Sequence, residues 1–314
     1  MVDPRRKFLE RLDLGKSRIR NFGGFVFLCG GERNMDFTPI LSVRHLLYNE
    51  LTSGKYSDVA SRLKLAEDIQ DWFRGGAYSD LVTFEEHLAG LSDVIVLVVE
   101  SPGAIAELGA FAISPAISDR LLVLVAEVHY EQESFIKLGP LKRIEDKNLD
   151  AVLVYDWHDR EVGRSPIERF DKINGEIPSI AESIRKYMSP GTKERVFKVD
   201  DVSHQMLLIC DLVDLFGALP YAEIHEFLSL LSVEIEPAHL KQYLFLLEKC
   251  DLLRIKAKGH GRYFYCVDWT PRISFSYTEG QAIDKQRLRF DVVEYYDAHE
   301  KTRSEVVKLI RKAA

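Results

Sequence analysis

The sequence predicts an α/β protein, with a doubly wound parallel sheet followed by a smaller module of three helices and a two-stranded hairpin. Two observations predict the sheet. Short apolar runs rich in β-branched residues, such as Val94-Ile95-Val96-Leu97-Val98-Val99, recur without polar alternation, as strands buried on both faces do. Segments with helical spacing alternate with them, which implies parallel strands joined by crossover helices. A third observation predicts the module. Beyond the turn-rich stretch Ser189-Pro190-Gly191-Thr192-Lys193 the alternation stops, and three helical segments precede two short strands around Gly259-His260-Gly261.

Residues 1–20 read as a basic N-terminal segment with Arg5, Arg6, Lys7 and Arg11, without the apolar core or cleavage site of a signal peptide. The sheet domain is expected over 21–190. Its first strand is 25–29, ending at Gly30-Gly31, and a helix follows over 41–51 with Leu41, Leu46, Leu47 and Leu51 as an apolar stripe. Helices are expected at 67–73 and 81–91. After strand 94–99, Ser101 is a good N-cap and Pro102 suits the first helical position. Strands 121–125 and 151–155 come next, and a helix over 167–187 closes the domain, with Ile167, Phe170, Ile173 and Ile177 on one face. The second domain, 200–270, carries helices 202–216, 221–230 and 237–248 and strands 252–255 and 263–267. That order is a winged helix, a relative of the helix-turn-helix. A helical extension over 281–312 lies within 271–314.

At 314 residues, 46% hydrophobic and 29% charged, the chain has room for two ordinary globular domains, and no apolar run reaches membrane-spanning length. Cys29, Cys210, Cys250 and Cys266 are scattered without metal-ligand spacing, so a reducing cytoplasm is expected and no zinc site or cofactor. A net charge of −7 argues against indiscriminate nucleic-acid binding by the whole surface. Two basic patches remain, one through Arg20 and one with Arg254, Lys256, Lys258 and Arg262. The third helix of the module offers only His239, Lys241 and Gln242 to base edges, and the second carries Glu223 and Glu226. Sequence-specific duplex readout is therefore disfavoured. Protein docking, or backbone contact through the basic wing, fits better.

The chemistry concentrates on Glu107. From Pro102 to Ile113 it is the only ionisable side chain, and it follows the carboxyl end of a strand, where open α/β sheets place ligands. A carboxylate packed against a sheet loses hydration unless a partner or substrate replaces it. The plain alternative is a solvent-facing Glu or a structural ion pair, but Ala, Ile, Leu, Gly and Phe leave it no polar face to join. Cys29-Gly30-Gly31-Glu32-Arg33 matches neither a triphosphate loop nor a dinucleotide fingerprint. It is a tight turn, or a place where backbone approaches a sugar or phosphate closely. No Ser or Cys nucleophile elbow is present, and His87 reads as a surface or packing residue. Carboxylates remain: Glu107, Glu100, Asp93, Glu67 and Asp68. Carboxylates alone suit displacement at an anomeric carbon.

Strand-Cys29-Gly30-Gly31, Asp93 heading a hydrophobic strand, Glu100-Ser101-Pro102-Gly103 and Ala106-Glu107-Leu108-Gly109-Ala110 together resemble the nucleoside 2-deoxyribosyltransferase-like superfamily. More narrowly, the chain resembles bacterial retron effectors that join such a domain, with flavodoxin-like layering, to a C-terminal winged helix. Phe135-Ile136-Lys137-Leu138-Gly139-Pro140 and Ala66-Glu67-Asp68-Ile69 are similar to that group, with Ala66 in place of its proline. The resemblance implies Glu107 as the catalytic carboxylate of an N-glycoside hydrolase acting on a nucleotide, NAD foremost or a nucleoside. Cys29, Gly30, Gly31, Ser101, Pro102 and Gly103 would line the sugar-phosphate pocket. Glu100 and Asp68 would hold the ribose or activate water, with structural pairing as their alternative. It further implies an antiphage toxin held in check by a retron reverse transcriptase and its RNA–DNA hybrid, with a homo-oligomer or filament in that complex. The extra domain and the glycine-poor approach to Glu107 favour hydrolysis over base exchange. The rival reading is a nucleotide-sensing winged-helix regulator without catalysis.

Overall fold

The computed structural model describes residues 2–20, 23–34, 38–69, 76–159, 167–188, 194–268, 270–278 and 282–313. The chain folds as two units, one of residues 23–71 and 81–190, the other of 1–22, 72–80 and 191–314.

Five parallel strands build the first unit, in the spatial order Leu63–Lys64, Phe25–Cys29, Ser92–Val99, Leu121–Ala126, Val152–Tyr155. Numbered along the chain this is 2-1-3-4-5, a doubly wound order whose direction reverses between the first and third strands. Phe25–Cys29 and Leu121–Ala126 are buried at every position, which is why their sequences show no alternation. The core on one face joins Val26, Leu28, Val94, Val96 and Val98 to Leu47 and Leu51 of the helix Val43–Leu51 and to Ile180 and Ile184 of the helix Ile177–Tyr187.

Three expectations need correction here. At the start of the helix foreseen over 67–73, residues 67 and 68 lie instead in a 3-10 turn, Ala66–Asp68, preceded by the short edge strand Leu63–Lys64; residues 70–73 of that expectation lie outside the described residues. Leu41 is exposed and precedes the helix, whose N-cap is Ser42. The closing helix breaks into the strand Ile167–Glu168, a turn of helix at Phe170–Ile173, and Ile177–Tyr187. Pro178 explains the last break: it has no N–H to donate, so it starts a helix rather than continuing one. The side chain of Ile167 and the boundary stretch 189–193 lie outside the described residues.

In the second unit, the helices Val202–Phe216, Tyr221–Leu230 and Pro237–Lys249 are followed by an antiparallel hairpin, Leu253–Lys258 with Gly261–Cys266. Gly259, at φ 58°, supplies the left-handed turn residue, and a bridge between Leu219 and Phe264 adds a short third rung. The C-terminal extension is two helices, Lys285–His299 and Lys301–Ala313, separated at Glu300. No helix among the described residues is long and apolar enough to cross a membrane.

The N-terminal residues are not a separate basic segment. Asp3 caps the helix Pro4–Leu9, and the strand Leu12–Ile19 pairs antiparallel with Ile273–Tyr277 and Arg195–Val196. Arg5 is only 4% exposed. Its guanidinium donates to Asp3, to Glu223 at 2.8 Å, to the Tyr296 hydroxyl at 3.3 Å and to Glu300 at 3.3 Å. Arg303 meets the same Glu223 through two bonds of 2.7 and 2.6 Å, and Arg6 pairs with Glu226. Both acids of the Tyr221–Leu230 helix are thus neutralised by arginines distant in sequence.

Breaking a buried charge network by deleting one member leaves the others uncompensated. Arg5→Ala is expected to cost on the order of 3 kcal/mol in urea-induced unfolding. Arg5→Lys should recover little of it, because a point charge cannot reach four partners as the planar fork does.

Candidate active site

The carboxyl ends of Phe25–Cys29 and Ser92–Val99 flank the point where the strand order reverses. Gly30 has φ 147°, and a Cβ there would stand 3.0 Å from Val98 and 3.2 Å from Arg44. A Cβ on Gly31 would lie 2.9 Å from Ser42 and 3.0 Å from Glu100. Both glycines therefore serve close packing of the turn against its neighbours. Glu100 uses that closeness: its carboxylate accepts from the N–H groups of Gly31 at 3.0 Å, Val43 at 2.6 Å and Arg44 at 3.0 Å. Two of these are orphan donors at the start of the helix Val43–Leu51, and the Ser42 hydroxyl accepts a further one from His45. Burial raises the pKa of Glu100, and the three N–H donors oppose the rise.

Arg44, on the first turn of that helix, is buried. Its Nε donates to the Gly31 carbonyl at 2.6 Å, and its two Nη groups hold Glu67 in a fork at 3.1 and 2.7 Å. Beside it, Arg33 stacks on the Tyr48 ring at 4.2 Å and donates to Asp68 at 2.9 Å. Glu67 and Asp68 are exposed on one side and tied to arginines on the other. Cys29 is a buried free thiol whose pKa is pushed well up by burial and by the nearby charges of Glu107 and Glu85, so it stays protonated.

Glu107 sits in the second turn of the helix Pro102–Ile113, which begins where the Ser101 hydroxyl accepts from the Ala104 N–H at 3.1 Å. Pro102 and Gly103 are exposed at its start. The Oε2 atom of Glu107 is buried and has no hydrogen-bond partner among the described residues. Burial raises its pKa; the positive charge of Arg44 opposes the rise and Glu67 adds to it. A second acid faces the same field. Glu85, on the helix Leu81–Gly90, is 6% exposed, and its pKa is pushed up to about 8 by burial first, then by Glu107 and Glu67, against the pull of Arg44. Two buried carboxyls within each other's field, both raised by burial, suit one group that carries a proton and one that carries charge.

Of the residues named from sequence, the structure gathers Cys29, Glu67 and Glu107 into one electrostatic cluster, and Gly30, Gly31 and Glu100 into the adjoining turn. Asp93 stands at the opposite, amino end of its strand and pairs with Arg62. Arg44 and Glu85 escaped the sequence reading. The signal was present: Arg44 shares its helix face with Leu47 and Leu51, and Glu85 lies between the buried Phe84 and Leu88, so each places a charge on an apolar stripe.

Comparison with known proteins bears on this cluster. The chain is 35% identical over 129 residues to an Escherichia coli protein, "Retron Ec86 putative ribosyltransferase/DNA-binding protein", a match covering 41% of this chain and 39% of that one. It is 29% identical over 157 residues to "Retron Ec73 putative ribosyltransferase/DNA-binding protein", also of Escherichia coli, covering 50% and 48%. The matches thus span less than half the length of either curated relative. A family model described as STM3845 retron effector protein matches residues 41–255, which include Arg44, Glu67, Glu85, Glu100 and Glu107. That match runs through well over half of the chain, and it shows that the protein belongs to the STM3845 retron effector protein family.

Proposed function

We propose that the chain is the toxic effector of a bacterial retron antiphage defence system and that its sheet unit hydrolyses the N-glycosidic bond of a nucleotide, with NAD as the leading substrate. The observation that carries this reading is the buried, unpartnered Oε2 of Glu107 in the field of the buried Glu85, whose pKa burial pushes up to about 8. The names of the two relatives support ribosyl chemistry. A hydrolase is the case in which water takes the ribosyl group.

The residues suggest a double displacement. The Glu107 carboxylate attacks the anomeric carbon, or stabilises its positive charge, as the C–N bond breaks and its electron pair leaves with the base. Where the leaving base needs a proton, Glu85 supplies it and becomes a carboxylate. Water then attacks the anomeric carbon and Glu107 is released; the proton of the water returns to Glu85 where Glu85 gave one up, and passes to bulk solvent where the base left without one. Arg44 balances the negative charge of the cluster and holds Glu67, while Glu100 fixes the turn that forms the crevice edge. Gly30, Gly31, Ser101, Pro102 and Gly103 are the backbone nearest that edge, and Asp68 with Glu67 borders it. The three helices and hairpin of the second unit act as a winged helix. It engages the retron reverse transcriptase and RNA–DNA hybrid in the cytoplasm, in a homo-oligomer or filament.

Glu107→Gln should fold as the wild type and release base from NAD and nucleosides at least about a hundredfold more slowly, followed by chromatography. Undiminished turnover removes Glu107 from the chemistry. Nucleotide binding without turnover in the wild type favours the regulator reading instead.

Nicotinamide departs from NAD as a neutral ring without a proton, whereas a purine must be protonated to leave well. Glu85→Gln should therefore slow purine nucleoside cleavage by about a hundredfold and NAD cleavage far less. The same proton sets a stability trend. The folded pKa of Glu85, about 8, lies above its ordinary 4.5, so its contribution to stability is complete below 4.5 and is lost as pH rises through about 8. Melting temperatures across that window should fall more steeply for the wild type than for Glu85→Gln. Parallel slopes would show that Glu85 is not held protonated.

A further inference from the structure

Outside the carboxylate cluster, the second unit contains a groove of about 280 Å³ between the helix Pro237–Lys249 and the Leu253–Lys258/Gly261–Cys266 hairpin. We infer that this groove seats one unstacked base of a single-stranded nucleic acid, with its phosphates held at the rim by Lys241 and Arg262. The inference rests on the nucleic-acid partner proposed above, and is independent of the chemistry at Glu107.

The walls suit a base. Leu244 and Ile255 are apolar, and the rings of Phe245, Phe264 and Tyr221 border the same space. Stacking on such rings satisfies any base without a hydrogen bond. An extended peptide laid on these surfaces would leave its N–H and C=O groups without partners. Phe245 is steadied from behind by Tyr78, ring centroids 6.1 Å apart at 64°. The volume sits just below the range that encloses a drug-sized ligand, which is the size class of one nucleoside. A duplex keeps its bases paired and offers nothing to insert.

Charge points the same way. In the hairpin register, Ile255 faces Phe264 and Ala257 faces Arg262, which brings Arg262 to the mouth of the groove. Arg254 and Lys256, exposed on the other face of the hairpin, stand across from Tyr265 and Tyr263 and extend the positive stripe. Glu223 and Glu226, the acids expected to repel phosphates, are neutralised by Arg5, Arg303 and Arg6. One acid remains at the groove itself, Glu248. A carboxylate beside a stacked base accepts from an amino group on its Watson–Crick edge, which favours cytosine, adenine or guanine over thymine.

The test is fluorescence anisotropy of the full chain with labelled 12-mers of dC, rC and dT and a blunt hairpin duplex, across a salt series. Single strands should bind more tightly than the duplex, and dC more tightly than dT; the rC arm reports whether the sugar matters. Phe245→Leu should weaken single-strand binding roughly tenfold. The double substitution Lys241→Ala/Arg262→Ala should weaken it and flatten the salt dependence. Glu248→Gln should narrow the dC–dT gap. Lys241 and Arg262 are exposed and Glu248 is half-buried, so these variants remain informative if Phe245→Leu fails to fold. Wild-type-like binding by the folded variants, or preference for the duplex, overturns the groove and leaves a nucleic-acid partner standing elsewhere. No binding to any probe removes both.

Discussion

The candidate site depends on one buried guanidinium. Arg44 is the cation that offsets Glu67, Glu85 and Glu107, and its side chain also ties the Gly31 carbonyl into the same network. Without it, the buried Glu85 and Glu107 would lose the positive charge that opposes their desolvation, and Glu67 would keep only Arg33 among the described residues, 3.9 Å away. Like charges that close cannot all ionise. With it, the three carboxyls stand in three different surroundings. Glu67 is bound to the arginine, Glu107 is stranded but within its field, and Glu85 is buried deeply enough to retain a proton. The helix dipole of Val43–Leu51 contributes to the same end of the sheet, where Glu100 answers the positive N-terminus.

How much of this was legible in the sequence follows from the range of the interactions. The buried strands announce themselves, because a strand covered on both faces has no use for polar residues; the parallel sheet and the helix bearing Glu107 follow directly. Glu107 itself stood out because its own helix has no polar face. Arg44 and Glu85 were harder to see. Each sits beside other polar residues in sequence, Arg44 beside His45 and Glu85 beside Glu86 and His87, and of these neighbours only Glu86 is exposed, so no simple polar alternation singles out the buried charge. Glu100 was read as an acid holding ribose or activating water, with structural pairing as the alternative; its three hydrogen bonds go to backbone at residues 31, 43 and 44, far away in sequence.

The N-terminal strand was illegible for a different reason. Leu12–Ile19 alternates only in part: Gly15 and Lys16 are both exposed and the register shifts between Asp13 and Arg18. An irregular strand of this kind has no clean period of two, and its main partner lies some 260 residues away. Basic residues in the segment made it read as a separate basic segment with a basic patch through Arg20. Arg5 carries such a charge inward, where three carboxylates and the Phe227 and Tyr296 rings receive it.

That pairing also orders events during synthesis. Residues 12–19 are made long before residues 273–277, and the edge that pairs with those residues stays open until they too have been made. The five-stranded sheet lies wholly between them in the chain, and its strands can assemble while the second unit still waits for its last pieces. A nascent chain of this protein therefore passes through a stage in which the unit bearing the acids is complete and the unit bearing the groove is not. During that interval an unpaired β edge is exposed near the N-terminus, a liability that a fast-closing hairpin would have avoided.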